Sequence, residues 1–263
     1  MIVIRACEGF EELAACVRLQ IETWGYDEGD VIPRRAFLVA QKIGGQVIGA
    51  FDSEITCSSP NGGPESLVGF AFSLPGVKTG AGEPRAYLHS HMLAVKDAYR
   101  NRGLGTRLKL EQRREALARG LRYMEWTFDP LEIKNSWFNL ERLGAVVRRY
   151  AVNQYGITAS PLQGGLPSDR LVAEWWLESD RVRHTLEDGR PEKIEVVERV
   201  AVPVEVYAWK SEPETRHLAA EAQRVIRDAM QQHLAAGLAV TGYERDAAGN
   251  GSFLLGRWAG AEF

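Results

Sequence analysis

The sequence predicts an α/β (α+β) fold, a mixed sheet with flanking helices, on three observations. A short strand of branched residues opens the chain and leads into a helical stripe. Three further strands follow, separated by Gly- and Pro-rich turns. Beyond them a strand runs into a glycine turn that opens a charged helix.

The first strand is 2–6. Over 10–21 the apolar residues Leu13, Val17 and Ile21 fall on one helical stripe. The segment 24–30 is an acidic, Gly-containing loop with Trp24 and Tyr26, and Pro33 suits the first turn of a short helix. Strands are expected at 46–51, 67–73 and 87–95, divided by turn clusters at 58–64 and 75–84. Next comes a helix over 106–119, with Leu110 and Leu117 on its buried face and Gly120 as terminator. A strand at 121–128 ends at Asp129-Pro130, a helix at 133–143 ends at Gly144, and strands follow at 145–152 and 171–177. Residues 190–263 read as a small β-α-β-β extension. It has short strands at 194–197 and 202–207, then a helix capped by Ser211 with Leu218, Ala222, Val225 and Ala229 as its apolar stripe. A hairpin, 238–244 with 252–258, closes it.

Bulk properties narrow the function. A chain of 263 residues allows one large domain or two modest ones. With 32 basic against 35 acidic residues the net charge is −3, which argues against a nucleic-acid binder. Cys7, Cys16 and Cys57 suit neither a disulfide framework nor a zinc site. No apolar run approaches the roughly 20 residues needed to span a bilayer. The opening Met1-Ile2-Val3-Ile4-Arg5 is too short and too early charged for a signal peptide. A cytoplasmic protein is expected.

The chemistry concentrates in 93–108, where Arg100-x-x-Gly103-x-Gly105 lies directly after a strand and before a helix. A glycine turn at a helix start presents unpaired N–H groups beside the positive end of the helix dipole, an anion site suited to pyrophosphate. Arg100 and Arg102 add positive charge.

With Leu93-Ala94-Val95 and Tyr99-Arg100 in order before it, this run resembles the core of the GNAT acyltransferase superfamily. The resemblance extends over 1–178, in the order strand, helix, helix, three strands, helix, strand, helix, two strands. It implies two domains, 1–178 and 190–263, the second extending the sheet or making a homodimer contact. It also implies a central sheet splayed between its fourth and fifth strands. Activity would be CoA-dependent transfer of an acetyl group, with succinyl as an alternative, to a primary amine of a small molecule such as an amino acid, by direct attack. No metal is expected. A non-catalytic acyl-CoA-binding module and a protein N-acetyltransferase are the rival readings.

The resemblance also assigns residues. Asn101, Arg102, Gly103, Leu104, Gly105 and Thr106 would hold the CoA pyrophosphate, the backbone of Leu93 and Val95 would pair with pantetheine, and Asn135 would contact it. The family's proton-donating Tyr, four residues before the glycine, is Leu140 here. For the base, His89 and His91 share one strand face and have an ordinary pKa of about 6.5; Tyr150 is a further candidate. Trp24, Tyr26, Glu28, Asn153 and Tyr155 would face the acceptor. Asp169-Arg170 reads as a surface pair, and Lys134, Arg142, Arg148 and Arg149 as a solvated basic face.

Overall fold

The branched opening forms β1 (Ile2–Ala6), followed by α1 (Gly9–Trp24), α2 (Arg34–Lys42), β2 (Gln46–Asp52), β3 (Leu67–Lys78), β4 (Arg85–Val95), α3 (Leu104–Ala118) and β5 (Tyr123–Phe128). The computed structural model describes residues 1–27, 29–55, 62–79, 83–157 and 160–260. Glu28, Cys57, residues 58–61 of the first expected turn cluster and 80–82 of the second lie outside them. Residues 75–78, expected as turn, continue β3, because they pair in register with 85–88 of β4. Residues 1–124 and 125–262 form two compact units, with the division inside β5. The expected boundary between 178 and 190 therefore falls within the second unit. No helix of the described residues is long and apolar enough to cross a membrane.

In the first unit β1, β2, β3 and β4 pair antiparallel in that order. One face carries α1 and α2 over Leu13, Leu19, Phe37, Phe51, Phe70 and Phe72. The other carries α3 over Ile48, Ala50, Val68, Ala71 and Leu108. Burying each such side chain contributes about 1.5–3 kcal/mol. Two expected stripes are displaced. Ile21 is 48% exposed, and the buried line of α1 is Leu13, Cys16 and Leu19. On α3, Leu110 faces solvent, and the buried line is Leu104, Leu108, Lys109, Gln112 and Ala116.

That polar pair has a reason. Lys109 Nζ donates to Ser90 Oγ (2.8 Å), Ser90 Oγ to Gln112 Oε1 (3.0 Å), Gln46 Nε2 to the Gln112 carbonyl (3.0 Å) and Ser73 Oγ to Gln46 Oε1 (3.0 Å). Burial holds the Lys109 ammonium well below the usual lysine range. Between that lowered value and the unfolded one near 10.4 the unfolded chain binds more protons, so wild-type stability should rise with pH in this window. Lys109→Met is expected to raise the melting temperature at pH 7 and to flatten that rise. A thermal-denaturation series from pH 6 to 10 checks it; a variant less stable than wild type with the same slope would refute a neutral amine.

The second unit contains α4 (Ile133–Trp137) with a π-turn at Phe138–Arg142, β6 (Val146–Ala151), β7 (Arg170–Trp176), α5 (Asp180–Asp188), β8 (Glu198–Val202), α6 (Val206–Ser211), α7 (Arg216–Ala235), β9 (Ala239–Arg245) and β10 (Gly251–Gly256). Its strands run β7-β6-β9-β10-β8, so the C-terminal strands extend the sheet from the β6 edge. The extension keeps the expected β-α-β-β order, with one strand in place of two ahead of its helices. Only 198–202 pairs as a strand before the hairpin, because those residues match β10 in register. Residues 206 and 207, the end of the strand expected at 202–207, begin the helix α6 instead. Pro213 forces the preceding Glu212 into extended geometry, so Ser211 ends α6 and the long helix begins at Arg216. Its buried line is Ala219, Gln223, Ile226 and Met230, one position from the expected stripe; Val225 is 51% exposed.

A bulge anchors the extension. Between the pairs Gly242–Leu254 and Val240–Leu255, β9 carries one extra residue, Thr241. Its carbonyl accepts from Arg181 Nη2, and Arg181, almost fully buried, also donates to the carbonyl of Gly144 (3.0 Å). Burial pushes this guanidinium down to about 10, against the opposing pull of the Glu141 and Glu192 carboxylates.

Candidate acyl-transfer site

The strand–turn–helix segment begins at the end of β4. Lys96 N–H donates to the Val68 carbonyl (2.9 Å), and a 3-10 turn over Asp97–Tyr99 follows. Tyr99 Oη donates to Asp52 Oδ2 (2.7 Å), tying the turn to β2. Asn101 and Gly103 both have left-handed backbone, φ 61° and 73°. A glycine carries that geometry at Gly103 without strain. The first helical hydrogen bond of α3 runs from Arg107 N–H to the Gly103 carbonyl (3.1 Å). The N–H groups of Leu104, Gly105 and Thr106 therefore lie ahead of the helical ladder, where an anion is favoured. A Cβ at Gly103 would meet no atom within 4 Å, so the space above the turn is open. These features fit a pyrophosphate.

The two arginines differ. Arg100 folds back, donating from Nε to the Val95 carbonyl (3.2 Å) and pairing with Asp97 (2.8 Å). Its charge is spent on the turn. Arg102 lies over the Tyr99 ring at 5.5 Å.

A bulge also shapes the histidine face. Between the pairs Phe72–Met92 and Ser73–Ser90, β4 carries one extra residue, His91. Strict alternation would place Leu93 and Val95 on the face of His89 and His91. Instead both pack into the cluster under α3, as Ser90 does through Lys109 and Gln112. His91 packs edge-on against Phe72 (6.1 Å) on the α1/α2 side, and the His89 ring lies 6.0 Å from it. Burial lowers the His91 pKa, favouring the neutral base. Trp24 and Tyr26 stack at 5.5 Å and pack on the cluster that contains Phe72. The structure thus gathers Trp24, Tyr26, His89 and His91 around one aromatic cluster.

The second unit holds Tyr150, Asn153 and Tyr155. Tyr150 Oη donates to Asp169 Oδ2 (2.6 Å), and burial with the nearby carboxylate raises its pKa. That hydroxyl is a committed donor, not a neutral-pH base. Asn153, at φ 47°, donates its backbone N–H to Asp169 Oδ1 (3.0 Å) and accepts from Ser168 N–H at Oδ1 (3.1 Å). Its side chain builds the turn. Tyr155, 42% exposed, pairs its hydroxyl with Thr127 Oγ1 (2.9 Å). Asn135 is exposed on α4 and accepts from Asn139 Nδ2 (3.4 Å). Leu140 is fully buried, so no proton donor occupies that place.

Two polar centres escaped sequence reasoning. Asp169 is fully buried and receives Arg227 through Nε (2.6 Å) and Nη2 (3.0 Å), while Arg170 turns to Gln163. Asp169, expected at the surface with Arg170, is buried and pairs instead with part-buried Arg227, 58 residues away. Between the pairs Val147–Ala173 and Arg149–Val172, β6 carries the extra residue Arg148. Both arginines consequently reach buried Glu174 (2.8 and 3.3 Å), and Arg149 also reaches buried Glu125 on β5 (2.6 Å). That part of the expected solvated basic face is paired to buried carboxylates.

No family model matches the chain, and no curated protein matches it. Among solved structures, Arabidopsis thaliana NAA60 in complex with acetyl-CoA superposes with a TM-score of 0.53 at 16% identity, over 68% of this chain and all of that one. The same protein with a bisubstrate analogue gives 0.51 at 15%, over 67% and 98%. The chain has the GNAT fold.

Proposed function

We propose that this chain is a CoA-dependent N-acyltransferase. The observation that carries the proposal is the left-handed turn at Asn101–Gly103 opening α3, with open space at Gly103 and the N–H groups of Leu104 to Thr106 ahead of the helical ladder, in a GNAT fold. Acetyl-CoA in the complex of the NAA60 neighbour supports the same cofactor. The cofactor would bring the acyl thioester. This chain would hold its pyrophosphate on the backbone of Asn101 to Thr106, with Arg102, Leu93, Val95 and Asn135 as further contacts. A β4 histidine would take the proton of the acceptor ammonium, freeing the amine to attack. The favoured acceptor is a small-molecule primary amine such as an amino acid, the favoured acyl group acetyl, with succinyl second.

Free-thiol release from acetyl-CoA and succinyl-CoA against a panel of amino acids, amines and N-terminal peptides tests the reading. Turnover with small amines supports it, turnover with peptides alone favours a protein N-acetyltransferase, and CoA binding without any turnover favours a regulatory module. Gly105→Val should weaken CoA binding at least about tenfold, or about 1.4 kcal/mol, with the fold intact. Unchanged affinity by calorimetry would refute the turn as the cofactor site.

A further inference from the structure

We infer that the unit 125–262 carries a second ligand site, for a small planar carboxylate. The inference goes beyond the acyltransferase reading and does not depend on it. A cleft of about 540 Å³ lies between α4, the start of α6 and the β9–β10 turn, within the range usual for small-molecule sites. Its walls include Trp137, Val204 and Tyr207, and its charged groups are Lys134, Arg245 and Asp246.

The polar groups of this cleft are unequal in what they still offer. Asp246 has both carboxylate oxygens occupied, accepting from the backbone N–H and from Nδ2 of Asn250 (2.9 Å each). It holds the turn. Lys134 and Arg245 form no ion pair among the described residues, and Arg245 is set over the Trp137 ring at 5.3 Å. Tyr207 Oη accepts the Ile133 N–H (3.0 Å), and its own proton has no acceptor among the described residues. The cleft therefore offers an ammonium, a guanidinium and a hydroxyl as donors. Its one carboxylate is held by Asn250 and is outnumbered by the two cations. A ligand that satisfies it brings acceptors and negative charge, and a guanidinium matches a carboxylate in two-point geometry. The indole of Trp137 is 37% exposed and, with the Tyr207 phenol and Val204, forms a wall that favours a flat apolar body.

The probe is 2-naphthoate, compared with neutral 2-naphthamide and with naphthyl phosphate, titrated calorimetrically into the full chain. Naphthoate is expected to bind, naphthamide at least tenfold more weakly, and Arg245→Gln and Lys134→Gln each to weaken naphthoate at least fivefold. Neither residue belongs to the proposed CoA turn, so CoA affinity, measured in parallel, should be unchanged in both variants. Equal binding of the amide, tighter binding of the phosphate, no binding of naphthoate, or indifference to both substitutions would each overturn the inference.

Discussion

His89→Ala and His91→Ala are expected to lower turnover by about 10²–10⁴-fold for whichever histidine is the base, while acyl-CoA affinity changes little. Both rings lie together on the α1/α2 side of β4, beside Phe72 and the cluster that Trp24 and Tyr26 cover. The sign of the pH effect follows from burial. The His91 pKa lies below its ordinary 6.5, so the neutral, proton-accepting form already dominates at that pH and above. If His91 is the base, the acid limb of kcat/KM should therefore fall below about 6.5 and vanish in His91→Ala. The deficit of the variant should also shrink at high pH, where the amine loses its proton unaided. A kcat/KM profile over pH 5 to 9 for both variants decides the matter. Near-normal turnover throughout would make the histidines structural, and attention would pass to Glu125, the buried carboxylate beside Arg149.

Asp169→Ala is expected to lower unfolding stability by about 3–5 kcal/mol, the usual cost of stranding the partner of a buried ion pair. The carboxylate is fully buried and receives Tyr150, the Asn153 N–H and both guanidinium donors of Arg227. Its loss removes the acceptor that ties α7 to the turn after β6. Because Arg227 is the stranded charge, Asp169→Ala with Arg227→Met should cost much less than the two single changes added together. Urea denaturation of the two singles and the double measures this. Additive effects, or a single-variant loss below about 1 kcal/mol, would mean that the pair contributes as little as a surface bridge. Turnover offers a second readout. If the β6–β7 turn positions the acceptor, as expected of Asn153 and Tyr155, Asp169→Ala should raise KM for the amine more than it lowers kcat.

Much of this protein is legible along the chain. Elements such as α1, β2, β5, β6 and the β9–β10 hairpin follow from local periodicity. The Arg100-x-x-Gly103-x-Gly105 turn is equally local. Its left-handed backbone and the helix it opens are properties of consecutive residues, so the turn could be read before any contact was known. The pairing of His89 with His91 on one face belongs here too, since both lie within a few residues on one strand.

Tertiary structure decided what depends on a second strand or a distant partner. A bulge is a mismatch between two strands, and no single strand encodes it. Hence the placement of Leu93 and Val95 opposite the histidines, and of Arg148 beside Arg149 on Glu174, waited for the pairing. Helix stripes were misplaced where polar side chains are buried with partners. Lys109 and Gln112 look solvent-bound in sequence, yet Ser90 and Gln46 satisfy them inside. Asp169 likewise looked like a surface acid because its partner Arg227 is remote in the chain. Hydrophobicity is a property of each residue and can be read singly. Whether a charge lies inside depends on a partner that compensates its lost hydration, and only the folded chain supplies that partner.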